Sequence, residues 1–439
     1  MKNNISQDVA VNWQATKELD EMKKKRTQEQ PKWINLMNVK NDRTPKTNSV
    51  HNVIALLNYD RTFQDKFRFN EFTQEIETVK EIDFLVDDNV PAIIPKGKLE
   101  DDSYSAIIAY FDRYYDLCFS DNIFSHAILV IAQSRRYNPV KDYMADAYRN
   151  WDGVKRYQTI LSDFLGAENN EINGKIIKMF FTGAVAKVYD PWTKFDYVLD
   201  LIGSQGVGKT TFLEKIAPLG YYTDQFTNFN DKDNYAVMLR NLIVNDDEMT
   251  ATDESKFSEI KKFATMQEIE YRPPYAHTSK RRPKGFVLTR TSNNLTYLKD
   301  KTGNRRFLPI RCGVNPPIKN VIHDLTPQLV KQFWGEMVNY FKKGFELTFS
   351  KTDMNLLEKH REDFQYHDPL EDKLNNYLQK QIKDNVKFLS TEQICKELEI
   401  NMNFGKTAKK IKYFMENNED WKYTKNKGKR GYRLTKFVI

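Results

Sequence analysis

A glycine-rich segment in the middle of the chain constrains the fold more than any other feature. It reads Gly203-Ser204-Gln205-Gly206-Val207-Gly208-Lys209-Thr210 and follows the apolar run at residues 197–202. The run is typical of a buried parallel strand, and residues 211–216 can form a helix after the loop. Between a strand and a helix, such a loop turns successive backbone N–H groups toward phosphate. The segment therefore predicts a phosphate-binding loop (P-loop). The alternative, a plain glycine-rich turn, fits these flanks less well.

The loop residues have separate expected roles toward a nucleoside triphosphate, taken here as ATP. Lys209 can reach the β- and γ-phosphates, and the Thr210 hydroxyl can ligate Mg²⁺. The residues expected to hold the ATP phosphates are Gly203, Ser204, Gln205, Gly206, Val207, Gly208, Lys209, Thr210 and Thr211.

Acidic residues follow a second buried strand, predicted at residues 242–245. These are Asp246, Asp247 and Glu248. One carboxylate at this place can hold Mg²⁺ and another can polarise the attacking water. We assign Asp247 to the metal and Glu248 to the water, with Asp246 as a competitor for the metal. An exposed acidic turn is the alternative.

A third strand, predicted at residues 286–291, ends in two asparagines. Asn293, or alternatively Asn294, can orient the water and contact the γ-phosphate, although asparagine after a strand is often a turn residue. Arg305 and Arg306 precede a fourth strand at 307–311. Adjacent arginines are costly to bury, so they suit a role against phosphate in this subunit or a neighbour. An ordinary surface pair is the alternative.

Two basic regions are candidates for DNA binding. Residues 272–283 predict a projecting hairpin in which Tyr275 stacks on a base of single-stranded DNA, while His277, Lys280, Arg281 and Arg282 grip its backbone. Residues 401–439 contain eleven lysines and arginines against three acids, a net charge of +8 that equals that of the whole chain. In both regions a solvated basic segment is the alternative.

The last fifty residues have the pattern helix, turn, basic helix and basic hairpin. This order predicts a winged helix-turn-helix with the second helix in a groove of double-stranded DNA. Its expected DNA contacts are Lys406, Lys409, Lys410, Lys427, Lys429 and Arg430.

Composition excludes several classes of protein. Of 439 residues, 40% are hydrophobic and 13% aromatic, which indicates a globular chain with room for several domains. No run of 18 apolar residues and no N-terminal signal core occur, so we expect a cytoplasmic protein without membrane contact. The three cysteines have no metal-ligand spacing, which argues against structural zinc.

The expected fold is multi-domain α/β. The segments are a polar arm (1–45), a mostly helical N-terminal domain (46–192), a P-loop ATPase domain with a parallel sheet and a helical extension (193–365), and the winged helix (370–439).

Five motifs in this order resemble the virulence-associated protein E family, the helicase-like ATPases of phages and pathogenicity islands related to superfamily 3 helicases. They are the runs at 136–143, 151–156, 203–210, 272–275 and 302–307. The resemblance implies an AAA+ fold, a homo-oligomeric ring with six as the expected number of subunits, and ATP-driven translocation on DNA. It also implies that Asn293 is the sensor residue and that Arg305 or Arg306 is the arginine finger.

The sequence departs from the family at two points. Relatives tend to carry glutamate where Asn245 stands and a small residue where Asp247 stands, which leaves open how the acidic residues divide their roles. Many relatives also carry an N-terminal primase, for which the residues before Thr44 are too few, so we expect no primer synthesis by this chain.

These features together predict a replicative DNA helicase of a mobile genetic element, with other replication proteins as further candidate partners. An origin-binding initiator that uses ATP as a switch, without unwinding, is the main alternative. A protein remodeller is disfavoured by the basic hairpin and tail.

Overall fold

The computed structural model describes residues 35–87, 89–254, 257–271, 279–298, 304–366, 369–398, 405–416, 418, 420–426 and 428–435. The chain divides into two compact units. The first contains the residues up to Asp146 together with Leu239–Asn241, and the second contains Ala147–Met238 and Leu242–Ile439. The division falls earlier than the expected boundary at residue 192. No described helix is both long and apolar enough to cross a membrane.

The first unit mixes helices with short strands. The elements in chain order are α1 (Val50–Tyr59), β1 (Phe67–Asn70), β2 (Glu75–Thr78), β3 (Ile82–Asp87), β4 (Val90–Ile94), β5 (Gly97–Lys98), α2 (Asp101–Tyr115), α3 (Asp121–Ser134), β6 (Arg136–Tyr137) and α4 (Pro139–Arg149), the last of which crosses the boundary between the units. Among the described residues of this unit the strands form two sheets, one with the order β5-β2-β1-β6 and one from the hairpin β3-β4.

The prediction of a mostly helical N-terminal domain was wrong for residues 67–98, which form five strands. An aromatic core explains the difference. Phe63 lies 5.2 Å from Phe84 and 5.4 Å from Phe111 between ring centroids, in edge-to-face contacts. Phe67 on β1 and Phe84 on β3 are buried in the same cluster. The strands are too short to show a clear period-2 pattern, so burial against this core decides their conformation.

The second unit begins with α/β structure. Its elements in chain order are α5 (Ile160–Leu165), α6 (Glu171–Tyr189), β7 (Val198–Ile202), α7 (Lys209–Ile216), β8 (Tyr222–Thr223), α8 (Lys232–Met238), β9 (Ile243–Asp246), α9 (Thr250–Glu254), α10 (Phe257–Thr265), β10 (Glu268–Tyr271), β11 (Lys280–Pro283), β12 (Val287–Ser292) and β13 (Phe307–Arg311).

Five of these strands form a parallel sheet with the order β13-β7-β12-β9-β8. The four strands predicted from apolar runs are all present, and the parallel α/β fold is thereby confirmed. Every residue of β7, β9 and β12 is buried, as expected for strands covered on both faces. Because the strands are parallel, the loops after β7, β9 and β12 leave at the same edge of the sheet. The predicted functional residues follow these three strands.

A buried ion pair joins the two central strands. Arg290 on β12 donates from Nε and Nη2 to the two carboxylate oxygens of Asp200 on β7, at 2.7 and 2.6 Å. Both side chains are fully buried. The Tyr297 hydroxyl donates to the same carboxylate, and the Arg290 guanidinium lies 4.2 Å from the Phe307 ring centroid. The bidentate geometry and the added hydrogen bond compensate the desolvation of the two charges.

Helices follow the sheet: α11 (Val321–Asp324), α12 (Pro327–Lys342) and α13 (Lys351–Glu362). The α12 helix begins at Pro327, where the Thr326 side chain caps it by accepting a hydrogen bond from the Leu329 N–H. The buried Trp334 of α12 donates from Nε1 to the Ile216 carbonyl at the end of α7, at 2.7 Å. Helix α12 thereby fixes the helix that follows the P-loop.

The remaining elements are α14 (Pro369–Lys383), β14 (Phe388–Ser390), α15 (Thr391–Glu397), α16 (Gly405–Glu416), β15 (Trp421–Asn426) and β16 (Lys429–Leu434). The strands form an antiparallel sheet with the order β14-β16-β15. Ser390 and Gln393 form a capping box at the start of α15. Trp421, Tyr432 and Ile411 bury into a separate apolar core. The predicted helices and basic hairpin are present.

Candidate nucleotide-binding site

The loop between β7 and α7 requires glycine at several positions. Gly206 and Gly208 have φ values of +85° and +92°, in the region that favours glycine. A Cβ atom on Gly203 would lie 2.3 Å from the Cys312 carbonyl oxygen, so a larger residue does not fit there. Glycine is therefore favoured by the backbone conformation at Gly206 and Gly208 and by the lack of space at Gly203.

Lys209 is the first residue of α7, and its side chain turns back over the loop. Its ammonium donates to the carbonyl oxygens of Gly203 and Ser204 at 2.7 and 2.9 Å, and to Asn293 Oδ1 at 3.1 Å. Burial lowers the pKa of Lys209, while the charges of Asp247 and Glu248 act in the opposite direction. The Lys209 ammonium thus contacts both its own loop and the residue that follows β12.

The Asp247 carboxylate receives three side-chain donors. Its Oδ1 accepts from the Thr210 hydroxyl at 2.7 Å, the Thr291 hydroxyl at 2.6 Å and the Asn245 amide at 3.3 Å. A threonine hydroxyl and a carboxylate are hard oxygen ligands of the kind that Mg²⁺ takes beside phosphate. The donor set at Thr210 and Asp247 therefore fits the predicted magnesium site.

Asp246 has a different environment from its neighbour. Its carboxylate accepts from the N–H groups of Ala251 and Thr252 at 2.9 and 3.0 Å, at the start of α9. The Thr252 hydroxyl donates to it as well, at 2.5 Å. Burial raises the pKa of Asp246, and these hydrogen bonds oppose the shift. Both of its oxygens are engaged with α9, which argues against the predicted metal role of Asp246 and favours Asp247.

Glu248 and Asn293 flank the same cavity of about 720 Å³. Glu248 has a φ of +53°, and its N–H donates to the Thr291 hydroxyl at 3.0 Å. Asn294, the alternative sensor, accepts from the Thr296 N–H at 3.1 Å within its own turn. Asn293 is therefore the asparagine that contacts the P-loop. The cavity is lined by Phe164, residues 205–211, Asp247, Glu248, residues 291–293, residues 317–322 and Asp324.

Sequence reasoning missed Thr291 and the wall formed by residues 317–324. Thr291 donates to the Asp247 carboxylate and accepts from the Glu248 backbone N–H, so one hydroxyl contacts both predicted acidic residues. Thr291 is the second-last residue of β12 and carries no motif of its own. No motif marks residues 317–324.

The two arginines lie in a short 3₁₀ turn, Asn304–Arg306, before β13. Arg305 is exposed, and its carbonyl accepts from the Arg361 guanidinium at 2.9 Å. Arg306 is half-buried, with Nε 3.3 Å from an Asp196 carboxylate oxygen. Neither arginine is among the described residues that line the cavity.

The structure describes the base of the predicted DNA-binding hairpin. Strands β10 and β11 pair antiparallel, and Lys280, Arg281 and Arg282 lie on β11. The exposed Arg281 guanidinium lies 3.7 Å from Glu268 and 3.2 Å from Glu270 across the hairpin. Two acids therefore offset its charge. Tyr275 and His277 lie outside the described residues.

Like charges face each other on the C-terminal hairpin. Lys422 is directly opposite Arg433, and Lys425 is directly opposite Arg430, in the register of β15 and β16. All four are exposed. Such cross-strand pairs are destabilising unless an anion lies near them. Lys429 is also exposed on β16. Lys427 and the side chains of Lys406, Lys409 and Lys410 lie outside the part of the chain that the structure describes.

The fold and site define a multi-domain α/β protein with a glycine-rich loop, between β7 and α7, at the edge of a parallel sheet. A sequence profile of the virulence-associated protein E-like domain matches residues 145–366, which is half of the chain. The chain belongs to this family.

Comparison with solved structures finds the apo NrS-1 C-terminal region, with 12% identity, 84% of this chain and 95% of that chain covered, and a TM-score of 0.43. A form of the same region gives 13% identity, 66% and 77% coverage, and a TM-score of 0.39. No curated protein sequence matches the chain.

Proposed function

We propose that this protein is an ATP-dependent DNA helicase that acts in the replication of a mobile genetic element. The observation that carries the proposal is the convergence of four side chains on one cavity at the edge of the parallel sheet. Lys209 and Thr210 come from the P-loop, Asp247 follows β9, and Asn293 follows β12. Membership of the virulence-associated protein E-like family supports the same function.

The residues divide the work of ATP hydrolysis in this proposal. The loop at 203–211 holds the phosphates with backbone N–H groups, and Lys209 contacts the β- and γ-phosphates. Thr210 and Asp247 hold Mg²⁺, which neutralises charge on the phosphate oxygens. Glu248 polarises the attacking water, and Asn293 orients it.

The strand order supports an ATPase domain of the AAA+ type at residues 193–365. Because β12 lies between β7 and β9, its end reaches both the P-loop and the acidic residues. Asn293 contacts Lys209, and Thr291 contacts Asp247. The end of β12 can therefore respond to the γ-phosphate through Asn293 and to the metal ligand through Thr291.

The exposed arginine supports a site shared between subunits. Arg305 is exposed and does not line the cavity of its own chain among the described residues. An arginine supplied by a neighbour stabilises the charge that develops on the γ-phosphoryl group during transfer. In our proposal Arg305 or Arg306 has this role in a ring of identical subunits, with six as the expected number.

DNA contacts in this proposal come from two places. The β10-β11 hairpin with Lys280 and Arg282 contacts a single strand inside the ring. Residues 370–439 form a winged helix-turn-helix whose hairpin binds duplex DNA. Directly opposed basic residues on β15 and β16 support the second contact, since phosphate near them relieves their repulsion.

Steady-state ATP hydrolysis with and without single-stranded DNA, run beside displacement of a forked duplex, tests the function. Helicase activity predicts hydrolysis that DNA stimulates, together with strand displacement. A Lys209→Ala protein serves as the inactive control. Absence of hydrolysis under all conditions, including duplex DNA, would overturn the ATPase assignment.

An origin-binding initiator is the second candidate, and the basic C-terminal hairpin favours it because duplex binding alone serves that role. Hydrolysis without displacement, combined with preference for one duplex sequence in a footprinting assay, would favour the initiator over the helicase.

A further inference from the structure

One wall of the nucleotide cavity comes from residues 317–324, which return toward the P-loop after β13. Val321 makes the closest approach, since a Cβ on Gly208 would lie 3.3 Å from Val321 Cγ2. The Lys215 ammonium donates to the Ile322 carbonyl and ties this segment to the helix that follows the loop. The P-loop and this wall therefore form one continuous cavity.

The wall is held in place by contacts with the segment at α5. The Lys319 N–H donates to the Asp163 carbonyl at 2.9 Å, and the Lys319 ammonium lies 2.8 Å from the Asp163 carboxylate. The Asn315 N–H donates to the Gly166 carbonyl at 2.9 Å. These contacts preorganise the wall, so ligand binding costs little conformational entropy there.

Two isoleucines of this wall are unusually exposed. Ile318 is 78% and Ile322 is 63% exposed, although both line the cavity. Phe164, which is buried, also lines the cavity, and the Lys319 ammonium lies 5.6 Å from its ring centroid. Covering such aliphatic side chains with a flat apolar group removes apolar surface from water and favours binding. A nucleobase attached to a triphosphate on the P-loop is a group of this kind.

Three polar side-chain groups of the wall already have partners within the protein. Asn320 Oδ1 accepts from the N–H groups of Ile322 and His323 at 2.8 and 3.2 Å. The Asp324 carboxylate accepts from the Asn320 N–H at 2.7 Å. The Lys319 ammonium is paired with Asp163. Strong discrimination between bases requires groups that hydrogen-bond the base edge, and these three side-chain groups are engaged by other parts of the protein.

From this arrangement we infer that Ile318 and Ile322 form a seat for the nucleobase that takes nucleoside triphosphates without regard to the base. The inference rests on the proposed function, because the triphosphate must be held by the P-loop. It extends the substrate class from ATP to purine and pyrimidine nucleoside triphosphates.

Competition binding on the full chain tests the seat. A fluorescent ATP analogue is bound with Mg²⁺ and displaced by ATP, GTP, CTP, UTP or inorganic triphosphate. The Kd values of the four nucleotides are expected to lie within about threefold of each other. A site that hydrogen-bonds the base edge would give a much larger ratio between them. A preference above about tenfold for one base would overturn the inference.

Isoleucine variants test the residues. Ile318→Ser and Ile322→Ser are each expected to weaken all four nucleotides by about three- to tenfold, from the apolar area lost. The Kd of inorganic triphosphate should be the same for either variant and for the parent. Ile93→Ser, at an isoleucine on β4 that is 62% exposed, is the matched control and should change nothing.

The outcomes separate the two proposals. Unchanged nucleotide affinities in both isoleucine variants, or inorganic triphosphate that binds as tightly as the nucleotides, would overturn the seat alone. Failure of every nucleotide and of triphosphate to bind would overturn the P-loop assignment and the seat with it.

Discussion

The Lys209 ammonium donates a hydrogen bond of 3.1 Å to Asn293 Oδ1 and so joins the P-loop to the end of the neighbouring strand. Its other two partners are the carbonyl oxygens of Gly203 and Ser204. All three ammonium protons are therefore used within the protein. In the function we propose, phosphate replaces some of these partners. Asn293 follows β12, so this exchange would reach the neighbouring strand.

Lys209→Ala should lower ATP hydrolysis by about 100-fold or more, since the lysine supplies the positive charge of the loop. The fold should persist, because Lys209 donates to backbone carbonyls of its own loop and supports no other element except through Asn293. Steady-state hydrolysis and thermal unfolding measure the two effects. Lys194→Ala, at an exposed lysine before β7, is the control. Retained turnover would remove our assignment.

Thr291→Val should lower kcat for ATP by about 10- to 100-fold, the usual cost of removing a group that orients a metal ligand. The hydroxyl donates to Asp247 and accepts from Glu248, and valine keeps its shape but does neither. Nucleotide affinity, measured by competition binding, should stay within about threefold. Thr291→Ser should restore most of the rate, because serine keeps the hydroxyl. Equal losses in both variants would indicate a packing role instead.

The Arg305→Ala protein should bind ATP normally but hydrolyse it about 1000-fold more slowly than the parent, if Arg305 is the arginine finger. The reason is that Arg305 is exposed and lies outside its own cavity among the described residues. Mixing Arg305→Ala with Lys209→Ala protein should restore part of the activity, since some shared sites then contain an intact loop and an intact arginine. The same experiment with Arg306→Ala identifies which arginine acts. No recovery at any mixing ratio would count against a shared site.

Lys422→Thr should weaken duplex DNA binding and reduce the slope of log K against log salt by about 0.9, the value for one lost phosphate contact. It should also raise the Tm slightly, because Lys422 faces Arg433 directly and the repulsion is removed. Few DNA-binding substitutions stabilise the free protein, so the combination is diagnostic. Lys96→Thr, at an exposed lysine of the first unit, is the control. An unchanged salt slope would exclude this face of the hairpin from the DNA interface.

Lys284→Met should remove a pH dependence of stability above neutral pH. Lys284 is fully buried, donates to the Phe263 and Ala264 carbonyls, and has its pKa lowered by burial to about 7 from 10.5. Between these values the unfolded chain binds a proton that the folded chain lacks. The unfolding free energy of the parent therefore rises with pH in this window, by at most about 1.4 kcal/mol per unit from this lysine.

Urea unfolding at pH 7, 8 and 9 measures this slope. The difference in unfolding free energy between parent and Lys284→Met should shift in favour of the parent as the pH rises. A difference that is constant across the three pH values would mean that the folded protein keeps the lysine charged.

Local sequence pattern was sufficient for the four strands that it predicted in the sheet and for the place of the glycine-rich loop between a strand and a helix. Glycines at forced backbone positions and fully apolar strands leave a signal in the sequence itself. Thr291 could not be ranked in this way, because its importance depends on β12 lying between β7 and β9. The sequence order of strands does not reveal their order in space.

The same limit explains the other differences. Asp246 and Asp247 are adjacent, and the start of α9 at Thr250 decides which of them is engaged as a cap. The strands at residues 67–98 are short, and their burial depends on aromatic residues of α2 and of the segment before β1. Residues 317–324 carry no motif, and the turn that returns them to the P-loop is set by tertiary contacts with α5.

The Arg290–Asp200 pair has a mechanical consequence. Sliding β12 along β7 would pull two opposite charges apart in an apolar interior, at a cost of several kcal/mol. The loops that follow these strands therefore keep a fixed spacing. If the protein is the helicase that we propose, movement of the nucleic acid would have to arise from rotation of whole subunits or from hinges outside the sheet, because the sheet itself is rigid.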